Sequence, residues 1–427
     1  MRPSKPLRPG GEIRVKLEDK ERGRLSFCLS FSACVVQYFN ADRLFVNYDV
    51  DVGDVSESIL AIPAIANVAP VAWAAGANVR VDELDSTFLS SLQKVRKVME
   101  AMYPDFSTAG DIIAEHIVSN RFGGRSSAQL FTGGVDSLAT YARHRDEKPE
   151  LISLGLFKPY SEALQQSVYR AQEAFAQMEG VRLHRVESNL NYAFFNQKKL
   201  LEDHGQHLFE RSWWAGVQHG LGLLGICAPL AAVGGTERVY IGSSMTKDQM
   251  QGPMRPWGSH PLIDGNVAWA DVQAVHDGAE WSRQEKIRHE IKPFIEKTGN
   301  YPPIIVCDEP GRGDVLNCGR CEKCSRTIAG LALEGIDPNL CGLKVDNRTF
   351  CRIRQKLQWD RLMFAYKKSG MWKDIQSAIP ATIEGDAYGS KEFFEWLRAY
   401  KFPDVWGKNK PFSQRLLQKC LKLGIIQ

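Results

Sequence analysis

Neither sign of charge dominates this sequence. Its 54 lysines and arginines stand against 50 aspartates and glutamates, a formal net charge of +4. So small an excess gives no electrostatic reason to expect a nucleic acid as a direct ligand or a membrane surface as a partner. Basic pairs such as Lys198-Lys199 and Lys367-Lys368 read as solvated surface. Long apolar runs are missing too. The most apolar stretch, Leu221 to Val233, falls short of the roughly 20 residues that span a bilayer and is interrupted by Gly222, Gly225 and Pro229, so it is expected as a buried helix and no membrane partner is expected. The opening Met1-Arg2-Pro3-Ser4-Lys5-Pro6 is basic but has no apolar segment behind it, which argues against a secretory leader. Ten cysteines without a leader point to a reducing cytoplasm, where close cysteine spacing means metal more often than disulfide.

What remains is the composition of an ordinary folded protein: 427 residues, 44% hydrophobic and 24% charged, enough to bury roughly two or three cores. Within it, Ala128 to Thr140 reads as a strand end, a glycine turn and a helix start. Leu130 and Phe131 end the strand, Gly133 and Gly134 let the backbone turn sharply, and Asp136 or Ser137 is placed to cap the helix. Backbone N–H groups at such a turn face an incoming anion. No Gly-Lys-Ser/Thr follows, which excludes a Walker-type loop. Asp136 is expected in an exposed turn.

The surrounding pattern predicts three regions. Residues 1–105 alternate short apolar runs, among them Ile13-Arg14-Val15 and Val71 to Ala74, with turn residues, and predict a β-rich accessory domain with one helix from Thr87 to Met102. Residues 106–340 alternate helix and strand: a helix at Ile112 to Val118, then strands at Ala128 to Phe131, Leu151 to Phe157, Arg182 to Val186 and Arg238 to Ile241 with helices between. Such alternation indicates an α/β fold with a parallel, doubly wound sheet. Ligands of these sheets lie beyond the carboxyl ends of the strands. That nominates the glycine turn, Lys158 to Tyr160, Glu187 to Asn191 and Gly242 to Asp248. The Gly- and Pro-rich stretch Gln251 to Asn266, with Trp257 and His260, is expected as an active-site lid, the alternative being a packed loop. Residues 341–427 predict a helical tail with many aromatics, Trp359, Phe364, Trp372, Phe393, Phe394 and Trp396 among them, expected mainly as core.

Two further segments carry chemistry. Ser282 and Glu285 form a capping box at a helix start. This leaves Arg283 and Lys286 near a positive helix end, where cations gain nothing from the dipole and a phosphate partner would suit them. Downstream, Cys307, Cys318, Cys321 and Cys324 supply four soft ligands around Gly319, with Asn317 and Lys323 close by. Four thiolates suit tetrahedral zinc. An iron–sulfur cluster uses the same donors, and reduced packing thiols are the bland alternative. A closed four-thiolate site leaves no position for catalysis, so a structural role is expected. Cys28, Cys34, Cys227, Cys341, Cys351 and Cys420 are expected as packing residues.

The loop Thr132-Gly133-Gly134-Val135-Asp136-Ser137 resembles the Ser-Gly-Gly-x-Asp-Ser pyrophosphate loop of the ATP pyrophosphatase (PP-loop) superfamily, with Thr132 keeping the first hydroxyl. Together with the later Cys-x-x-Cys-x-x-Cys, the region from about residue 125 to 335 resembles 7-cyano-7-deazaguanine synthase and its relatives. The resemblance implies an adenine-nucleotide alpha-hydrolase-like fold. Thr132, Gly133, Gly134, Asp136 and Ser137 would bind the ATP triphosphate, and Cys307, Cys318, Cys321 and Cys324 would bind zinc. It also implies adenylation of a carboxylate followed by entry of ammonia. Extra residues on both sides and an enlarged segment after Arg238 to Ile241 suggest a larger substrate than a deazaguanine, a protein or a sugar. Larger relatives of this kind occur in anti-phage defence and polysaccharide loci.

The reaction expected is therefore that of an ATP-dependent carbon–nitrogen ligase. It forms an acyl-adenylate, releases pyrophosphate and passes the acyl group to a nitrogen nucleophile. Asp136, the carboxylate nearest the Mg²⁺, and Ser137, a donor to phosphate, are the expected catalytic residues. Arg283 and Lys286 join the cofactor-binding set. No glutaminase nucleophile is evident, so free ammonia or a partner enzyme supplies the nitrogen, and a homodimer or a partner-protein complex fits the additional regions. The rival reading is a nucleotide-binding scaffold without turnover.

Overall fold

The computed structural model describes residues 10–402 apart from 104–105, 107–108, 157–161, 191–192, 206–207, 209–211, 247–248, 251–256, 308–315 and 360–365. By packing, the chain divides into two compact units. The first takes residues 1–132, 140–161 and 172–280, and the second 133–139, 162–171 and 281–427. The chain thus passes from one to the other inside the glycine turn.

The first unit holds one mixed, mostly parallel sheet. Its strands are β1 (Glu12–Asp19), β2 (Arg24–Phe31), β3 (Arg43–Tyr48), β4 (Asn78–Asp85), β5 (Ile112–Val118), β6 (Ser126–Leu130), β7 (Glu150–Leu156), β8 (Leu183–Ser188), β9 (Thr236–Gly242), β10 (Ala268–Trp269) and β11 (Val272–Asp277). They lie in the order β10-β11-β9-β6-β7-β8-β3-β2-β1-β4-β5. The parallel run β9-β6-β7-β8 corresponds to the alternation read in the sequence, and β11, not expected there, extends it in parallel beside β9. The stretch expected as a separate β-rich domain joins this same sheet, because β3 pairs antiparallel with β8.

Two local expectations are corrected. Ile112 to Val118 is not a helix but the edge strand β5, parallel to β4. Its Ile-Ile-Ala-Glu-His-Ile-Val sequence is rich in β-branched residues, and a short apolar run does not by itself tell strand from helix. Val71 to Ala74 is not a strand but the end of the helix Ile62–Ala75, in which every residue from Ile62 to Ala74 is buried. A helix enclosed on all sides has no polar face to reveal its period.

The apolar run at Leu221 belongs to a longer helical stretch, Trp214–Gly234, long and apolar enough to cross a membrane but 78% buried inside the protein. Its glycines have a packing reason. A Cβ on Gly225 would come within 2.3 Å of the Ala66 Cβ, and one on Gly222 within 2.4 Å of Asn67 Oδ1. The two helices therefore meet backbone to backbone, and Asn67 bridges them by donating to the Gly222 carbonyl at 3.2 Å.

The second unit is helical. The helix Arg283–Lys286 runs on through a wider π-type turn, Ile287–Ile291, into Lys292–Thr298, and Glu322–Leu333, Thr349–Gln358, Tyr366–Ala378 and Ser390–Ala399 follow. Phe350, Trp372, Phe393 and Phe394 form core there as expected, whereas Trp359 is 60% exposed. The part of the expected helical tail from 403 to 427 lies outside the described residues.

His184 on β8 ties the sheet to a charge triad, 3.0 Å from Asp49 Oδ1 and 3.1 Å from Glu150 Oε2. Burial alone would lower its pKa, but the two carboxylates reverse this and raise it to about 9. A raised folded-state pKa stabilises fully below the ordinary value of 6.5 and is lost as pH climbs through about 9. The urea midpoint should therefore fall between those limits. His184→Gln should remove that slope and cost on the order of 2 kcal/mol at neutral pH. An unchanged slope in the variant would show that other groups control alkaline stability.

Candidate functional site

The glycine turn is shaped by one close neighbour. Gly133 sits at φ 75°, in the left-handed region that favours glycine. Its carbonyl accepts from the Ile305 N–H at 2.8 Å, and a Cβ there would lie 2.9 Å from Ile305 Cδ1. The helix Val135–His144 follows at once. Asp136 and Ser137 therefore stand in its first turn instead of capping it. Gly134 receives the first helical bond, from the Leu138 N–H at 2.9 Å. The Ser137 hydroxyl donates back to the Gly134 carbonyl at 3.1 Å, so it closes the turn. Thr132, just before the turn, is exposed.

Asp136 is not in an exposed turn: its side chain retains 18% of its accessible surface. Arg283 grips both carboxylate oxygens, Nη2 on Oδ2 and Nε 3.3 Å from Oδ1, and Lys286 Nζ lies 3.5 Å from Oδ1. Burial by itself would raise the carboxyl's pKa, but Arg283 and Lys286 hold it down at about 2. It is ionised throughout the neutral range.

The two cations are brought there by the capping box expected from sequence. Ser282 Oγ accepts from the Glu285 N–H at 3.3 Å, and Glu285 Oε2 from the Ser282 N–H at 2.8 Å. Gln284 then anchors this helix to Glu322–Leu333, donating to the Gly330 carbonyl at 3.2 Å and to Glu334 at 2.8 Å. The same neighbouring helix supplies a residue the sequence reading missed. Arg326 is buried, its Nε donating to Glu322 Oε1 at 2.8 Å. Burial lowers its pKa, as does the Arg283 cation, while Glu322 and Asp136 pull the other way. Its Nη1 is buried without a hydrogen-bond partner. The only sequence signal was a Glu and an Arg four apart, common on any helix.

The four expected cysteines do converge. The sulfurs of Cys307, Cys318, Cys321 and Cys324 lie within 4.8 Å of one another, with Cys307 to Cys321 at 3.8 Å and Cys318 to Cys324 at 4.0 Å. Zinc bound to four thiolates at about 2.3 Å would set sulfurs about 3.8 Å apart, so the set fits the ion. Backbone N–H groups point at sulfur, among them Arg320 and Cys321 at Cys318 Sγ, at 3.4 and 3.1 Å, Cys324 at Cys321 Sγ, at 3.5 Å, and Cys318 at Cys307 Sγ. Such donors stabilise thiolate. Asn317, expected as a supporting residue, is one. Its side chain accepts from the Val306 N–H at 3.1 Å and donates to the Ile304 carbonyl at 2.7 Å.

Other nominated segments are engaged elsewhere or fall outside the described residues. Ser188 and Asn189 hold β8 to β3 through the Phe45 backbone at 2.6 and 2.9 Å. Residues 158–160, 191, 247–248 and 251–256 lie outside the described residues. The rest of the expected lid is packed. His260 is buried and caps Pro261–Asp264, and buried Asp264 accepts from Ser259 at 2.6 Å and pairs with His276 at 2.7 Å.

No family model matches the chain, and neither does any curated protein.

Ile305 holds Gly133 and Cys307 of the four-sulfur cluster lies two residues on, so the cluster and the glycine turn share one short segment. Cys321→Ser should lose roughly one metal per chain and destabilise the protein by on the order of 5 kcal/mol, given the roughly 10 kcal/mol or more that structural zinc contributes in small fingers. Elemental analysis with thermal melts checks this. Iron with a visible absorption band would sink the zinc assignment, and a metal-free variant that melts like the parent would sink the structural role.

Proposed function

We propose that the chain is an ATP pyrophosphatase-type ligase, similar to 7-cyano-7-deazaguanine synthase, that adenylates a carboxylate and passes the acyl group to a nitrogen nucleophile. The observation that supports this most is the setting of Asp136. It stands in the first turn of a helix after a double-glycine turn, between Arg283 and Lys286, and the buried Arg326 nearby has an Nη1 that no protein atom satisfies. A carboxylate at a positive helix end among three cations is a setting for polyphosphate and its divalent ion. Mg²⁺ is commonly held by one or two carboxylates plus substrate phosphates, and Asp136 meets that requirement. When bound, the ion would neutralise charge on the departing pyrophosphate.

In this reading the chain's own residues have separate tasks. The turn's backbone N–H groups bind phosphate oxygens, and Gly133 keeps the backbone close to them. Arg283 and Lys286 exchange Asp136 for phosphate as nucleotide enters, which leaves the carboxylate for the ion. Arg326 adds its unsatisfied N–H. The substrate carboxylate attacks the α-phosphorus, pyrophosphate leaves, and ammonia then displaces AMP to give an amide. Zinc in the cysteine knuckle keeps Ile305 against Gly133 and takes no part in the reaction.

Asp136→Asn should lower AMP and pyrophosphate formation by about 100-fold or more, while circular dichroism stays that of the parent. The assay is product analysis after incubation with ATP, Mg²⁺, ammonia and candidate carboxylates, deazaguanine acids first. ADP with phosphate as products would replace the ligase by another ATPase. Nucleotide binding without products would favour the scaffold.

A further inference from the structure

We propose that the outer face of the helix Thr349–Gln358, beside the cysteine knuckle, binds single-stranded nucleic acid. The helix buries Thr349, Phe350, Ile353 and Leu357, with the Phe350 ring 5.3 Å from Phe393 and 5.9 Å from Phe394. At about 100° per residue, the opposite side gathers Arg348, Arg352, Gln355 and Trp359 into one stripe with Lys356 at its margin. Arg348, Arg352, Gln355 and Trp359 are exposed. Trp359 is 60% exposed and the only aromatic ring besides Tyr301 among the eight exposed large hydrophobic residues of the described chain.

The stripe continues onto the knuckle. Lys356 Nζ donates to the Arg320 carbonyl at 2.7 Å, and a Cβ on Gly319 would lie 3.4 Å from the Lys344 carbonyl. Exposed Arg320 and Lys344 thereby extend the cationic surface. Within the stripe Arg352 pairs with Asp346 at 2.7 Å. The small overall charge of +4 hides this local gathering.

The chemistry selects the ligand. Arg348 and Arg352 stand one helical turn apart, about 6 Å along the axis, a spacing suited to successive phosphates of an extended strand. An exposed indole at the end of a row of guanidinium groups is a platform for an unstacked base. A membrane would call for several apolar side chains where this face offers one. An acidic peptide would satisfy the cations and leave the indole bare, and a duplex keeps its bases stacked on one another.

The test is fluorescence anisotropy of the full chain with a labelled oligouridylate of about 16 nucleotides, between about 50 and about 200 mM salt. Binding should weaken as salt rises. Trp359→Ala should weaken it roughly 5- to 150-fold, the equivalent of one stacked base. Arg348→Glu combined with Arg352→Glu should flatten the salt dependence, and Lys198→Ala combined with Lys199→Ala should leave binding unchanged. Trp359 is mostly exposed, so its replacement leaves the core intact, which a thermal melt verifies. Absence of binding at the lower salt, equal affinity for a duplex, equal competition by polyglutamate or an unaffected Trp359→Ala variant would each overturn the proposal.

Discussion

Residues Ile304 to Cys307 are held from three directions. The Ile305 N–H reaches the Gly133 carbonyl at 2.8 Å, Asn317 clamps the backbone on either side through the Ile304 carbonyl and the Val306 N–H, and Cys307 belongs to the four-sulfur set. If the knuckle opens, Asn317 and Cys307 lose their places together. Ile305 is then kept under a glycine whose left-handed conformation is already selective only by its own bond to Gly133 and by the Ile304 N–H on the Cys341 carbonyl at 3.0 Å. An ion bound by the four sulfurs would in this way govern the shape of the glycine turn.

The second constraint is electrostatic. Arg283, Lys286 and Arg326 are clustered with Asp136 and Glu322 in largely buried surroundings. Buried charge is tolerated only when paired, and Asp136 and Glu322 pair with these cations while the Nη1 of Arg326 is buried without a hydrogen-bond partner. Gln284 keeps the helices Arg283–Lys286 and Glu322–Leu333 in register.

The parts legible in the sequence were those with local causes. A double glycine after an apolar strand, a Ser and a Glu three apart, and cysteines in two linked knuckles all act over a few residues. The glycine turn, the Ser282–Glu285 capping box and the sulfur cluster therefore stand where they were expected. The parallel run β9-β6-β7-β8 followed from alternation, whereas β10 and β11 at its edge were not foreseen. Long-range causes were not readable. Whether Ile112 to Val118 is strand depends on β4 being beside it. The helix Ile62–Ala75 lacks a polar face because its surroundings bury it. Arg326 matters through Asp136 and Arg283, which lie far from it in sequence. Asp136 seemed a turn residue because nothing local announces that Arg283, 147 positions away, will close over it.

The discontinuity of the second unit has a consequence for how the protein is made. Its glycine turn is synthesised early, yet the residues that shape and charge it begin at position 281. The strands of the first unit are all complete before that point, so their sheet can assemble while the ribosome is still at work. The glycine turn has to wait for distant chain. Arg283, Lys286 and Ile305 are made only after the last strand of the sheet, so a chain halted before position 281 would carry every strand and an unfinished turn.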